Sequence, residues 1–418
     1  MSSPHVLIVA GEASGDMHAA NLIKAMRARR PDLKVSAMGG SALVGAGVDL
    51  LYDSSQLAVV GLIEVLGHLG EILTARRLLV QFLGEKRPDL LILVDYPDFN
   101  LMLAAAAKKL GISVFYYISP QVWAWRQGRV RKIKRLVDRL AVVLPFEQDF
   151  YRSRGMDVDF VGHPMVDELG GSNLTSVANT PATPAPTAHE TALVHQAATL
   201  TSVGESWRMT HGLAPAGEGK IIGLLPGSRR QEVATMLPVF LAAARLLAAA
   251  RPVPPIFLLP LAPGLGREIL QANGLDLYPD LDIRISGHHD RHGMMAACDA
   301  AMTASGTVTL ELAIHGVPMV SAYRVSSFTY FVGRLLVDVP FTTLVNLVAG
   351  RSVIAELIQD QANPAMISRE VADLLDNQER RRAMEHGLAE VRQKLGGPGA
   401  SQRAAVIALG MLETSSYP

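Results

Sequence analysis

The stretch LIVAGEASGD sets Gly11, Glu12, Ser14, Gly15 and Asp16 where a buried strand turns into a helix. Such a turn usually holds an anion, because a helix start presents unpaired N–H groups and the positive end of the dipole. This turn carries two acids and no base. Ser14 reads as the N-cap and Asp16 as a first-turn acid, so the dipole already has a negative partner. Carboxylates accept hydrogen bonds strongly and suit sugar hydroxyls better than a pyrophosphate. Two later stretches have the opposite chemistry. LLPGSRRQEV places Gly227, Ser228 and Arg229 at a helix start. Small residues let backbone N–H groups approach an anion, and arginine clamps phosphate with a planar fork. MTASGTVTLELAIHG repeats the pattern with Ser305, Gly306 and Thr307, and Glu311 stands one turn further in, placed to accept two ribose hydroxyls.

These turns need strands to carry them. HVLIVAG, DLLILVDYP, SVFYYISP and RLAVVLP are short apolar runs separated by helical patterns, as a parallel sheet requires. From 171 the chain becomes rich in Ser, Thr, Pro and Ala and has little to bury, so it reads as a loosely attached insert. A second alternation follows: KIIGLLPGSR, PPIFLLPL, LDIRISG, ACDAAMTASG and PMVSAYR. The expected fold is α/β, with two Rossmann-like doubly wound lobes and a cleft between their strand C-termini. The expected boundaries are 1–170 for the first lobe, 171–217 for insert and linker, and 218–418 for the second lobe. A nucleotide diphosphate in the C-terminal lobe and a hydroxylated partner in the N-terminal lobe is the layout of a nucleotide-sugar glycosyltransferase.

Bulk properties narrow the class. The formal net charge is zero, which argues against a nucleic-acid binder relying on overall charge. Cys298 is the sole cysteine, so no internal disulfide forms, which fits a reducing compartment. The N-terminus shows no cationic leader, and no uninterrupted apolar run is long enough to span a bilayer. His288, His289 and His292 in GHHDRHG have no companion acids or cysteines at metal-site spacing, so neither a metal nor a cofactor is expected.

Several stretches occur together and in order: AGEASGD, DYPDFN, YYISPQVWAWRQGRVRKI, LPFEQDFY, GHPMVDEL, LPGSRRQEV, ASGTVTLELAIHGVPMVSAYR and NLVAGR. From about residue 6 to 360 the chain resembles the lipid A disaccharide synthases, inverting glycosyltransferases of the GT-B fold. Val345 stands before Asn346 where the resemblance leads one to expect proline. The resemblance implies transfer of 2,3-diacylglucosamine from UDP-2,3-diacylglucosamine to the 6-hydroxyl of 2,3-diacylglucosamine 1-phosphate (lipid X). The products are a β-1,6 disaccharide 1-phosphate and UDP. It also places Asn346 and Arg351 on the donor side.

Inversion needs a base for the acceptor hydroxyl. Asp95 and Asp98 are the candidates at the end of the DLLILV strand; Asp98 is the first choice and Glu12 the second. Both lipid substrates demand a membrane face. Leu66, Leu69 and Leu73 lie on an apolar helical stripe followed by Arg76, alongside the reading that this helix packs on its own sheet. Trp123, Trp125, Arg126 and Arg129 open a basic segment running to Arg139, read as one docked helix facing anionic headgroups or the acceptor phosphate rather than nucleic acid. The expected location is the cytoplasmic face of the inner membrane, held peripherally; a homodimer stays open. Two rival readings are a UDP-sugar 2-epimerase of similar build and a non-catalytic protein that binds anionic lipids.

Overall fold

A computed structural model describes residues 3–54, 69–125, 127–170, 202–216, 218–262, 264–287, 290–325 and 339–414. Leu66, Arg126, His288, His289 and the side chains of Leu69 and Trp125 lie outside that description. The chain divides into two compact units, Met1–Gly170 with Leu395–Pro418, and Gly171–Lys394.

The first unit is built on a parallel sheet of order β3-β2-β1-β4-β5-β6-β7. Its strands are β1 His5–Ala10, β2 Lys34–Gly39, β3 Asp49–Asp53, β4 Leu90–Val94, β5 Ser113–Tyr117, β6 Arg139–Val142 and β7 Asp159–Phe160. Val6 to Ala10 and Leu90 to Val94 are wholly buried, with helices on both faces, which is why they read as continuous apolar runs. Strand order reverses between β1 and β4, where Ala10 pairs with Val94. Open α/β sheets bind ligands at such switch points, beyond the carboxyl ends of the strands.

The helices of this unit refine three expectations. Leu69–Lys86 turns Ala75, Leu79 and Leu83 into the core and leaves Leu73 and Leu78 exposed, so it packs on the sheet while keeping apolar residues outside. The basic segment is shorter than one helix to Arg139. Val130–Leu136 buries Val130, Ile133 and Leu136 and exposes Arg131, Lys132, Lys134 and Arg135. It stops because Val137 is extended, and Arg139 already belongs to β6, paired with Asp159. The last helix, Ala400–Thr414, was expected in the second lobe but packs against Ala13–Arg29 of the first unit. Asp167 caps it by accepting the N–H groups of Gly399, Ala400 (3.3 Å) and Ser401 (3.2 Å). Arg403 donates to the Val161 carbonyl at 2.8 Å. The boundary therefore falls at 394/395.

The second unit holds a parallel sheet of order β10-β9-β8-β11-β12-β13. Its strands are β8 Ile221–Leu225, β9 Ile256–Pro260, β10 Ile283–Ser286, β11 Ala300–Thr303, β12 Met319–Tyr323 and β13 Ala355–Ile358. The switch point lies between β8 and β11, where Leu225 pairs with Thr303. Each unit is a doubly wound α/β lobe, as expected for a chain of the GT-B fold class. Among the described residues, one helix, Arg230–Ala249, is long and apolar enough to cross a membrane. It is a core helix: Val233, Leu237, Phe240, Leu241 and Ala244 are buried, and it packs on Pro364–Asp376.

A buried ion pair fixes the entry to this unit. Arg208, in the helix 202–210, donates to the Ala297 carbonyl (2.6 Å) and to Asp299 (3.0 Å). Asp299 also accepts the N–H of Ile221 at 2.8 Å, so three segments converge on one carboxylate. Arg208→Met leaves that charge buried without its partner and should lower unfolding stability by about 3–5 kcal/mol in denaturant titration. Arg208→Met with Asp299→Asn should recover part of the loss.

Candidate functional site

At the first switch point β1 delivers Gly11 and Glu12, and β4 delivers Asp95 and Tyr96. The helix after β1 starts at Ala13, one residue before the expected Ser14 cap. Glu12 is the N-cap residue, extended in backbone, and its exposed side chain makes no capping bond. Ser14 lies exposed in the first turn. Asp16 does not face outward: it is buried and accepts N–H groups from Gly40 (2.7 Å), Ala42 (2.8 Å) and Leu43 (3.3 Å). Its oxygens cap the helix Ser41–Gly45, so its part is structural.

Asp95 and Tyr96 are consecutive left-handed residues, with φ +46° and +48°. Each such non-glycine residue costs of order 1–3 kcal/mol and persists only where its surroundings enforce it. Here the Asp95 carbonyl accepts Asn100 Nδ2 and Tyr116 Oη, both at 2.6 Å. Pro97 then opens the helix Pro97–Lys109. The Tyr96 ring lies over Gly11, where a Cβ would stand 2.4 Å from ring carbons. The consequence is electrostatic. Burial first, then the charge of Glu12, pushes the Asp95 carboxyl up from 3.8 to about 6, against opposing effects from the Tyr96 N–H and His18.

Asp98, three residues on, is different. Its side chain is 72% exposed and is ion-paired with Arg129. That pair ties the helix Pro97–Lys109 to the turn Gln127–Arg129. Trp123 is buried edge-on against Phe146, with ring centroids 5.0 Å apart, and belongs to the core rather than to a membrane face. Arg76 is partly buried on the inner side of its helix, and Leu73 is 45% exposed.

Sequence reasoning did not single out the histidines beside this site. His18 lies 3.2 Å from Glu168. His163 is buried, and burial followed by the charge of His18 lowers it to about 3, so it stays neutral. Its Nδ1 accepts the N–H of Met165. The GHPMVDEL stretch signals these residues, but only the fold brings them to His18.

At the second switch point Gly227 has φ +120°, and Arg229 is the N-cap residue of Arg230–Ala249. The N–H groups of Ser228 (3.0 Å) and Arg229 (3.3 Å) point at Glu232, which also pairs with the Arg229 guanidinium at 3.2 Å. Glu232, unassigned from sequence, thus holds the turn. The Arg229 side chain remains largely exposed. Tyr323, at the end of β12, faces the same group: burial and then Glu232 raise its hydroxyl, and Arg229 lowers it.

After β11, Ser305 donates to the Thr342 carbonyl at 2.8 Å, and Gly306 adopts φ +153°. Thr307 is the N-cap residue of Val308–His315. Glu311 is buried and ion-paired with Arg291. Asn346 does not present its amide outward: Oδ1 accepts Val353 N–H (2.7 Å) and Ile354 N–H (3.0 Å). Its Nδ2 donates to the Ile354 carbonyl (3.0 Å) and to Glu356 (2.8 Å). Its role is to hold the loop. Val345 sits in the first turn of Leu344–Ala349, where proline and valine are equally compatible because no intrahelical N–H bond is lost. Arg351 pairs with Glu390 at 2.7 Å.

A family model described as Lipid-A-disaccharide synthetase matches residues 6–180 and 197–411. The chain is 46% identical over 415 residues to a lipid-A-disaccharide synthase of Syntrophus aciditrophicus, covering 99% of this chain and 100% of that one. It is 45% identical to the one of Nitrosococcus oceani, covering 99% and 97%. Among solved structures, UDP-GlcNAc 2-epimerase from Neisseria meningitidis bound to UDP-GlcNAc superposes with TM-score 0.64 at 13% identity, covering 98% of this chain and 100% of that one. MurG of Acinetobacter baumannii does so with TM-score 0.53 at 15% identity, covering 97% and 99%. Likeness at that identity concerns the fold alone.

The packing of Tyr96 on Gly11 carries its own test. Gly11→Ala forces a Cβ into the ring and should destabilise the protein by about 1–3 kcal/mol, read in thermal or denaturant unfolding.

Proposed function

This chain belongs to the lipid-A-disaccharide synthase family, and we propose that Asp95, rather than Asp98, takes the proton from its acceptor hydroxyl. The enzyme is a glycosyltransferase that transfers a diacylglucosamine unit in lipopolysaccharide synthesis. Its substrates are lipid-linked. In this reading the donor is UDP-2,3-diacylglucosamine and the acceptor is 2,3-diacylglucosamine 1-phosphate. The acceptor 6-oxygen attacks the anomeric carbon as the bond to the UDP oxygen breaks on the opposite face. The bonding electrons leave with UDP, and the hydroxyl proton passes to Asp95. The new linkage is β-1,6.

The observation that carries the assignment is the Asp95 carboxyl itself. It is desolvated, faces the Glu12 charge, and sits on a backbone held by Asn100 and Tyr116. A base works best when its pKa lies near the operating pH. Asp98 is exposed to water and ion-paired with Arg129. Glu12 keeps the proton on Asp95 longer and is placed to meet the acceptor sugar. At the second switch point, Arg229 and the N–H groups at Ser305–Thr307 receive the charge that develops on UDP. Glu311, held by Arg291, receives the ribose hydroxyls. Membrane contact, on the cytoplasmic face and peripheral, is assigned to exposed Leu73 and Leu78 and to Arg131, Lys132 and Arg135.

Asp95→Asn should lower kcat by about 10²–10⁴-fold in a radiolabelled disaccharide assay, with UDP binding kept. Asp98→Asn should lose far less; the reverse ranking contradicts the assignment. The sign with pH follows from the raised value. Asp95 must be ionised to act, so kcat/KM should climb with pH through about 6 and level off above. Stability runs the other way. The folded carboxyl binds its proton more tightly than the unfolded one, so its contribution falls as pH rises from 3.8 to about 6. Asp95→Asn should flatten that slope in unfolding titrations.

A further inference from the structure

We propose that Glu356 is a positioning residue for the donor turn: through Thr342 it holds Ser305–Thr307 where the departing diphosphate must be gripped. The proposal rests on the reading that Ser305–Thr307 receives that diphosphate.

Glu356 lies on β13, the edge strand of the six-stranded sheet, in register with Ser321 of β12. A glutamate on an edge strand is ordinarily solvated. This one accepts five hydrogen bonds from one short stretch, the loop end Thr342–Thr343 and the first turn of the helix that follows. Oε2 takes the N–H (2.9 Å) and hydroxyl (2.7 Å) of Thr342. Oε1 takes the N–H (3.0 Å) and hydroxyl (2.7 Å) of Thr343, and Nδ2 of Asn346 (2.8 Å). A carboxylate offers about four acceptor positions, so both oxygens are saturated. Burial works to raise its pKa, but the Thr342 and Thr343 bonds outweigh burial and keep the group ionised.

The link to the donor turn is short. With Thr342 fixed by its N–H and hydroxyl, its carbonyl accepts the Ser305 hydroxyl at 2.8 Å. Ser305 opens the turn after β11, so the turn is anchored to the sheet twice: directly by β11, and laterally by β13 through Glu356 and Thr342. A hydroxyl donates one proton. Because Ser305 donates it to Thr342, its contact with a phosphate is left to the backbone N–H. Glu356 acts at a distance from the ligand and touches none of it.

Glu356→Gln keeps the shape but turns an NH₂ group toward at least one set of backbone donors that cannot rotate away. The proposal is read in a split. Glu356→Gln should weaken UDP binding by calorimetry, and raise KM for the UDP-sugar, roughly tenfold or more. KM for the acceptor lipid should stay unchanged. Ser305→Ala should weaken UDP binding too, and the double variant should be no worse than the more affected single one. Glu356→Asp, which keeps the charge, should restore part of the loss. Arg229→Ala tests the underlying reading. If Arg229→Ala and Ser305→Ala weaken UDP and folded Glu356→Gln does not, the positioning role is overturned and the donor site stands. If neither weakens UDP, the donor reading fails and the proposal with it. Equal losses of donor and acceptor KM also overturn it. Should Glu356→Gln not fold, Thr342→Val removes one of the five bonds and keeps the carbonyl; a donor-specific loss supports the proposal, and unchanged UDP binding overturns it.

Discussion

The hydrogen-bonded register of β1 against β4 is the constraint on which the first site depends. Ala10 lies beside Val94 in a ladder that is fully buried. A buried parallel ladder cannot slip by one residue without turning its side chains to the wrong face. The next residues of both strands therefore leave the sheet at one edge, and Glu12 and Asp95 become neighbours although 83 positions separate them in the chain. The pairing of Leu225 with Thr303 does the same for the Gly227–Arg229 and Ser305–Thr307 turns. One device, used in each unit, gathers acids at one switch point and the proposed anion-binding groups at the other.

What differs is how each turn is held. At the first, two left-handed residues are kept in place by donors to the Asp95 carbonyl and by the contact of Tyr96 with Gly11. Backbone strain is offset by packing, and the result is a carboxyl removed from water beside a second one. At the second, the turns are held by carboxylates outside the proposed contact groups, Glu232 for one and Glu356 for the other. Rigid supports of this kind keep donors aimed where charge will develop, with no reorganisation during the reaction.

The strands and turns were legible because their causes are local. Fully buried parallel strands must be apolar throughout, and turns that bring backbone to a ligand need small residues. β2 and β13 escaped notice because Lys34 and Ser36 in one, and Glu356 in the other, break the apolar run. What stayed hidden clusters where the deciding partner is remote. Asp16 is a first-turn acid, as its spacing predicts, but the donors that occupy its carboxylate lie 24 to 27 residues ahead. Asp95 and Asp98 stand only three residues apart, so sequence alone does not tell their surroundings apart. Burial sets Asp95 apart, and an ion pair with Arg129, 31 residues on, engages Asp98. Asn346, placed on the donor side by resemblance, is bonded within the protein to Val353 and to Glu356 of β13. The final helix joins the first unit through Asp167 and Arg403, contacts made more than 230 positions apart. No local pattern records them.

Proton transfer to Asp95 turns on the environment of one carboxyl. A site-resolved ¹³C NMR titration of Asp95, in wild type and in Glu12→Gln, tests it directly. The predicted midpoint is about 6 in the wild type, against an ordinary 3.8, with a downward shift when the Glu12 charge is removed. A wild-type midpoint near the ordinary value, unmoved by Glu12→Gln, would contradict it.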